Sequence, residues 1–364
     1  MEDGLQDGRD VTCDLGRASL RRSIGTTREA TLAERKSHAG GGGPVNVLGI
    51  NSVYHEPAAA LLVDGTLVAA SEEERLNRIK HGKPAEFDNP HQLPERAIRS
   101  CLNCAGLTAG DIGHVAYSFD PRLRRTRYRA EWWDRRLKET FRLPLGQVRG
   151  AIEDLLGRSL GQRLHFVPHH LAHAASAYFP SGFDRAAILT IDGVALNCVT
   201  NELVRRSGEF SNVFIPSAPH DAGTAIGAAF AVHCAEQKRP PQRGNATPYL
   251  GPAFKRRDIL VAVKSAGLTA RRSKSPARDA ADMIADGKIV AWFQGRMEFG
   301  PRALGNRSLL ADPRRQYPQS KGQAPGRLPT VCAECPGGTR RRMVRGWRTV
   351  GESRVHAVRM SCKG

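Results

Sequence analysis

The chain is 364 residues long, 40% apolar and 25% charged, with a formal charge of +19 at pH 7. That length allows two or three domains with a sizeable core, and without a run of about eighteen apolar residues no membrane-spanning helix is expected. Eight cysteines spread over such a length do not make a disulfide framework and point to a reducing, cytoplasmic setting.

Residues 1–44 carry seven basic and seven acidic groups, lack the apolar stretch of a secretory signal and end in HAGGGGP, which predicts a disordered leader. From Val45, VNVLGI and AAALLV read as strands. Asp64-Gly65 supplies a hairpin before TLVAA, so a β-meander opens the folded part. LPERAIRSCLNCAGL (residues 93–107) has helical periodicity with Gly106 near its C-cap. DIGHVAYS is a strand, and residues 128–160 are amphipathic and mostly helical. LHFVPHH leads into LAHAASA, a good helix former with Pro168 at its start and Pro180 at its end. AAILTID reads as a buried strand, DAGTAIGAAFAVHCAEQ as a helix whose small residues permit close packing, and GKIVAWFQG as one more strand. Alternating strands and helices predict an α/β fold.

The chemistry concentrates in VPHHLAHAASAYF. His169 and His173, four apart on a helix, project from one face and can share a metal ion. A zinc-protease helix would need Glu at position 170, where this chain has His170, so that reading fails. Satisfied histidines on a polar helix face are the structural alternative. Asp192 ends the strand AAILTID, where ligands of α/β sheets gather. Asp221 opens a helix just before Gly223 and Thr224, where it can also serve as an N-cap. Two imidazoles and two carboxylates from three segments make an octahedral set with room for water or phosphate oxygens. It suits iron, manganese or zinc better than calcium.

GINSVYHEPAAALLVDG, SEEERLNRIKHGKP, VPHHLAHAASAYF, LTIDG, GVALNCVTN, HDAGTAIGAA and GRMEFGPRALGNRSLLADPR together resemble the NodU/CmcH-type carbamoyltransferases, from residue 45 to about 312. The resemblance implies an actin-like ATPase (ASKHA, ribonuclease H-like) lobe followed by a YrdC-like domain. It implies condensation of carbamoyl phosphate with ATP to carbamoyl adenylate, then carbamoyl transfer to a hydroxyl of a sugar or natural-product acceptor. Carried over by position, His169, His173, Asp192 and Asp221 match the ligands of a phosphate-holding divalent metal, iron first, with manganese and zinc as alternatives. His55 matches the histidine near the acceptor, a candidate general base. Gly193 and Asn197, with Gly223 and Thr224, fall on the nucleotide pocket. Arg302 and Arg307 can clamp carbamoyl phosphate bidentately, with ordinary surface arginines as the structural alternative.

Two departures accompany the resemblance. In the family roughly 150–200 residues, a domain-sized block, separate the acidic strand motif from the later nucleotide motif. Here LTIDG runs straight into VALNC and both motifs share Gly193, which implies an internal deletion. After LLADPR the family pattern stops, and residues 313–364 hold twelve basic and two acidic groups, an unpatterned tail like a shifted reading frame. More than half of the positive excess therefore lies in that tail, where attraction to nucleic acid would be non-specific.

The expected organisation is a disordered leader (1–44), an N-terminal lobe (45–193), a second-lobe remnant (194–285), the start of the YrdC-like domain (286–312) and a disordered basic tail (313–364). Removing the shell around a site disables it even where its ligands stay, so an impaired or inactive enzyme is expected. Alternatives are a tRNA threonylcarbamoyl-transfer-like protein, which the GRMEFGPRALGNRS loop disfavours, and a non-catalytic nucleotide-, metal- or RNA-binding remnant. Cys101 with Cys104 and Cys332 with Cys335 make two CxxC pairs, too far apart for a compact zinc ribbon.

Overall fold

Three successive apolar runs build the first half of a sheet: β1 (Asn46–Asn51), β2 (Ala58–Val63) and β3 (Thr66–Glu72). The computed structural model describes residues 45–312 apart from 54, 84–88, 90, 121–134, 191–194, 239 and 243–246, and the side chains of 135–145 also lie outside it. β1 pairs antiparallel with β2 in the register Asn46↔Val63 to Asn51↔Ala58. β2 turns into β3 through Asp64 and Gly65, both at positive φ (48° and 77°), the backbone that a tight hairpin matched to strand twist requires. A short helix α1 (Glu73–Asn77) and α2 (Glu95–Ala105) follow, the latter closed by Gly106 at φ 64°.

β4 (His114–Tyr117) then lies parallel to β1, and β5 (Leu164–Phe166) parallel to β4, with α3 (Arg135–Leu156) between them. The order is β3-β2-β1-β4-β5. Its strands are buried on both faces, as strands covered by helices on each side must be. Leu48, Ile50, Leu61, Val115 and Tyr117 pack on Ile98, Cys101 and Leu102 of α2 and on Val148 and Ile152 of α3. Val47, Ala60, Leu62 and Ala116 face α4 (His169–Ser181) and the helix Thr224–Gln237. The result is a three-layer α/β unit, as the alternating pattern predicts.

α5 (Cys198–Arg206) precedes that second helix, α6 (Thr224–Gln237), whose small residues govern its packing. A Cβ on Gly49 would sit 1.9 Å from the Ala225 carbonyl oxygen, and one on Gly227 only 1.7 Å from that of Ala172. Glycine at these two places lets β1 and α4 press onto α6. Beyond it come α7 (Arg256–Ser265), α8 (Pro276–Ala285) and a separate antiparallel pair, β6 (Val290–Phe293) with β7 (Arg307–Leu310). The loop between β6 and β7 is pinned to the larger sheet: Arg296 donates to the carbonyls of Val68, Leu250 and Gly251, and Phe299 is buried in the α4–α6 core.

One expected strand does not form. Ala186–Thr190, the described part of AAILTID, belongs to no strand and is exposed, with Ile188 at 45% and Leu189 at 71%. An apolar run becomes a buried strand only when an edge and a covering layer receive it, and none of the described residues provides either. The leader, the basic tail and residues 128–134 of the expected long helix lie outside the described residues.

Candidate metal centre and its surroundings

β1, β4 and β5 are parallel, so their carboxyl ends share one side of the sheet, where ligands of α/β folds collect. β1 runs into the loop that carries His55, β4 into Ser118, and β5 through Val167 and Pro168 into α4, which begins at His169. Asp221 comes from the 3-10 turn Asp221–Gly223 that leads into α6. His173 Nε2 lies 3.2 Å from His169 Nε2 and 3.2 Å from Asp221 Oδ1, and His169 Nε2 is 3.4 Å from the same oxygen. His55 Nε2 stands 3.7 Å from Asp221 Oδ2 at the open rim. The N-cap position of the following helix is Gly223, and the Asp221 carboxylate is turned to the imidazoles.

Neighbours fix these groups. His169 Nδ1 faces the Ser118 carbonyl at 3.2 Å; in the neutral ring, donation there would turn the Nε2 lone pair toward the cluster, as a bound cation requires. The Thr224 hydroxyl lies 2.9 Å from Ser118 Oγ, which donates to Asn51 Oδ1 at 2.9 Å. Asn51 in turn donates to the carbonyls of His55 and Glu56, holding their loop. A Cβ on Gly223 would come 2.0 Å from the Ala218 carbonyl oxygen, so glycine lets the turn close. Burial pushes the Asp221 carboxyl up. Hydrogen bonds from His169 and His173, and the charges of His169 and His55, outweigh it and hold the group well below the carboxylate range.

The donor set fits a divalent metal. Ligand pairs around a four- to six-coordinate ion with bonds near 2.1 Å are about 3.0–3.4 Å apart, and the three atoms of His169, His173 and Asp221 already span 3.2, 3.2 and 3.4 Å. Beside them His220 Nε2 lies 3.2 Å from Glu72 Oε1 and 3.4 Å from Glu56 Oε2. Burial opposes a protonated His220, but its bond to Glu72 and the charges of Glu56 and Glu72 raise it above the ordinary histidine value. Burial likewise raises Glu72, yet His220 and Arg75 hold it lowered; in Glu56 burial prevails and the carboxyl is raised.

A family model described as the carbamoyltransferase N-terminus matches residues 46–194 and 189–230, and one described as the carbamoyltransferase C-terminus matches residues 281–322. The chain belongs to the carbamoyltransferase family. It is 26% identical over 420 residues to the nodulation protein NolNO of Sinorhizobium fredii, covering 72% of this chain and 59% of that protein. To the nodulation protein NolO of Bradyrhizobium diazoefficiens it is 40% identical over 149 residues, 40% of this chain and 26% of that one. The 3'-hydroxymethylcephem-O-carbamoyltransferase of Amycolatopsis lactamdurans is 36% identical over 123 residues, 33% of this chain and 22% of its own length. The two N-terminal matches meet at residues 189–194, where LTIDG runs into VALNC. The NolNO alignment extends over 420 residues although the whole chain has 364, so a long stretch of that relative has no counterpart here.

The other residues expected at the site of this family member are placed less centrally. Asp192 and Gly193 lie outside the described residues. Asn197 caps α5, its side-chain oxygen accepting from the amides of Val199 and Thr200 at 3.0 and 3.2 Å. Arg302 is exposed and Arg307 half-buried. Burial, followed by the charge of nearby Arg75, lowers the Arg307 guanidinium, while Glu298, Glu72 and Glu74 oppose this. Of the CxxC cysteines, Cys101 is buried and donates to the Ala59 carbonyl, and Cys104 is exposed. A groove of about 730 Å³ opens beside His173, walled by Tyr178, Ile188, Phe210 and Phe214.

Glu56, Glu72, His220 and Glu298 were not among the residues expected from sequence. Glu72 joins the metal side to the GRMEFGPRALGNRS loop: besides His220 it contacts Arg75 Nε at 3.1 Å and the Gly300 amide at 3.3 Å. Glu298, buried, accepts from the amides of Leu304, Asn306 and Arg307 and wraps that loop around itself. The signal lay in their positions, inside YHEP, SEEER, PHDAG and RMEFG, next to residues already singled out. No described helix is long and apolar enough to cross a membrane.

Proposed function

We propose that the chain descends from, and retains the metal-side residues of, an O-carbamoyltransferase that moves a carbamoyl group from carbamoyl phosphate, through an ATP-derived carbamoyl adenylate, to an acceptor hydroxyl. The observation that carries this reading is the convergence of His169, His173 and Asp221, with His55 at the rim, at the carboxyl ends of parallel strands in a chain matched by both carbamoyltransferase models. The meander followed by two parallel strands supports an actin-like, ribonuclease H-like lobe for residues 45–193. Residues 194–285 then make a second-lobe remnant and 286–312 the start of a YrdC-like domain. Asp192, at the end of its segment, completes the proposed ligand set.

When bound, iron, manganese or zinc supplies positive charge opposite nucleotide phosphate oxygens. The chain's own residues do the rest. Gly193, Asn197, Gly223 and Thr224 fall to the nucleotide side, and Arg302 and Arg307 to the phosphate of carbamoyl phosphate. In the transfer step the acceptor oxygen bonds the carbamoyl carbon, the bond from that carbon to the adenylate oxygen breaks, and AMP leaves with its electron pair. His55, partly exposed beside Asp221, is placed to take the acceptor's proton, and the Asp221 carboxylate stabilises the imidazolium that results. The groove beside His173 suits a small hydroxylated acceptor in size.

A long stretch of the relative NolNO has no counterpart in this chain, and we infer that the second lobe's walls are lost with it and that catalysis in this chain is impaired. The test measures ATP-dependent consumption of carbamoyl phosphate and, separately, Mn²⁺ or Fe²⁺ binding by the purified chain. Metal binding near one equivalent, abolished in His173→Ala and Asp221→Ala, with turnover weak and lost in the same variants, supports the reading. No turnover removes the active-enzyme form, and metal binding indifferent to both substitutions removes the site itself.

A further inference from the structure

α6 carries a second constellation at its opposite end. His114 is the first residue of β4, His165 the middle residue of β5, and Glu236 stands in the last turn of α6. In the β4–β5 register Ala116 pairs with His165; since side chains two apart on a strand share a face, His114, Ala116 and His165 all point to the side covered by α6. His114 Nδ1 faces His165 Nε2 at 3.0 Å, and that nitrogen is 3.8 Å from Glu236 Oε1. The three donor atoms lie within 4.8 Å of one another. With fifteen residues of helical rise between Asp221 and Glu236, this cluster is about 20 Å from the first one, at the amino ends of the parallel strands.

We propose that His114, His165 and Glu236 form a second metal site, for zinc or a similar divalent transition metal, that fastens the edge strand β5 to the end of α6. Two imidazole nitrogens facing each other at 3.0 Å need either a shared proton or a cation between them. A tetrahedral zinc ion asks for neighbouring ligand atoms about 3.3 Å apart. The two imidazoles need open by only a few tenths of an ångström, while Glu236, exposed on 37% of its side chain, swings inward. Three protein donors leave the fourth position to water, a ligand count zinc uses often. The carboxyl end of α6 contributes partial negative charge, which favours a cation. The structural consequence is local: β5 is three residues long and among the described residues pairs only with β4, and it leads within four residues to His169.

Chelator-stripped full-length chain is titrated with Zn²⁺ and with Co²⁺, whose four-coordinate complexes absorb strongly in the visible. Parallel titrations use Glu236→Gln, His165→Gln and His173→Ala. The expected result is a loss of about one equivalent in Glu236→Gln and in His165→Gln that adds to the loss in His173→Ala. The Glu236→Gln site should be weakened more than about a hundredfold, beyond the cost of removing an outer partner of a ligand. The exposed Glu236→Gln change should leave the metal-free circular dichroism and melting temperature unaltered while removing part of the Zn²⁺-induced rise in melting temperature. Zinc stoichiometry and zinc-induced stabilisation equal to wild type in Glu236→Gln and His165→Gln would show that the two imidazoles merely share a proton, and would overturn the proposal.

Discussion

Substituting Gly227 by alanine tests how the first cluster is assembled. The new Cβ would lie 1.7 Å from the Ala172 carbonyl oxygen, 2.7 Å from its carbon and 2.8 Å from the Ser176 amide nitrogen. All three are backbone atoms of α4, so no rotamer change relieves them. Restoring ordinary contact requires α4 and α6 to part by about 1.5 Å, a shift that packed interiors resist. Alanine gains about 1 kcal/mol of helix propensity, and overpacking costs about 1–3 kcal/mol or more. We expect a net loss of about 1–2 kcal/mol, or a melting temperature lower by roughly 2–8 °C. Since α4 carries His173 and α6 follows Asp221, the same shift opens their 3.2 Å contact, and Mn²⁺ affinity should fall at least about tenfold, the scale on which supporting contacts act. Gly150→Ala in α3 is the control: a Cβ there meets nothing within 4 Å, so it should gain about 0.5–1 kcal/mol. Thermal unfolding with metal titration decides. If Gly227→Ala matched Gly150→Ala in both, the close approach of α4 and α6 would not set the cluster's geometry.

Three further outcomes follow from the same packing. Burial lowers the Lys83 ammonium to about 7, while an unfolded lysine keeps its proton to about pH 10; the unfolded chain therefore binds more protons between these values, and stability should rise by roughly 1–3 kcal/mol from pH 7 to pH 9. Urea midpoints of wild type should show that slope and those of Lys83→Met should lose it. Buried Cys101, its thiol pushed up by burial, should resist iodoacetamide in the folded chain while exposed Cys104 and Cys198 react, as peptide mapping by mass spectrometry would show. Glu298→Ala strands the amides of Leu304, Asn306 and Arg307 and should cost about 2–4 kcal/mol, with faster hydrogen exchange at 304–307; Glu298→Gln, which keeps an accepting oxygen, should recover most of it.

What could be seen in the sequence was what depends on neighbours along the chain. The Asp64-Gly65 hairpin, the Gly106 cap, the helix between Pro168 and Pro180, and the close-packing face of AGTAIGAA all follow from local conformational preference and period, and each has its counterpart in the fold. His169 and His173 converge because i and i+4 share a helix face. The Glu72–His220 pair was invisible to such reasoning: the partners are 148 residues apart, and only the crossing of α6 over the meander brings them together. The pairing of His114 with His165 depends in the same way on the parallel register of β4 and β5.

AAILTID shows the opposite dependence, a segment whose composition suits a strand and whose surroundings refuse it. Strand formation is a property of the sheet that accepts the run, because ladder bonds and face burial come from the partner. Around the join at residues 189–194, Ile188, Leu189, Val199, Leu203 and Phe210 are all exposed, and α5 buries no residue. Scattered apolar residues on a surface need no explanation, but a concentration of this kind does. It falls where the two N-terminal family matches meet, and the NolNO alignment, longer than this chain, leaves a long stretch of that relative without a counterpart. We infer a deletion at that point, which would account together for the exposed apolar residues and the divided family match. It leaves intact the β1–β4–β5 edge on which His55, His169, His173 and Asp221 stand, because that edge is built from residues before the join and held by α6 after it.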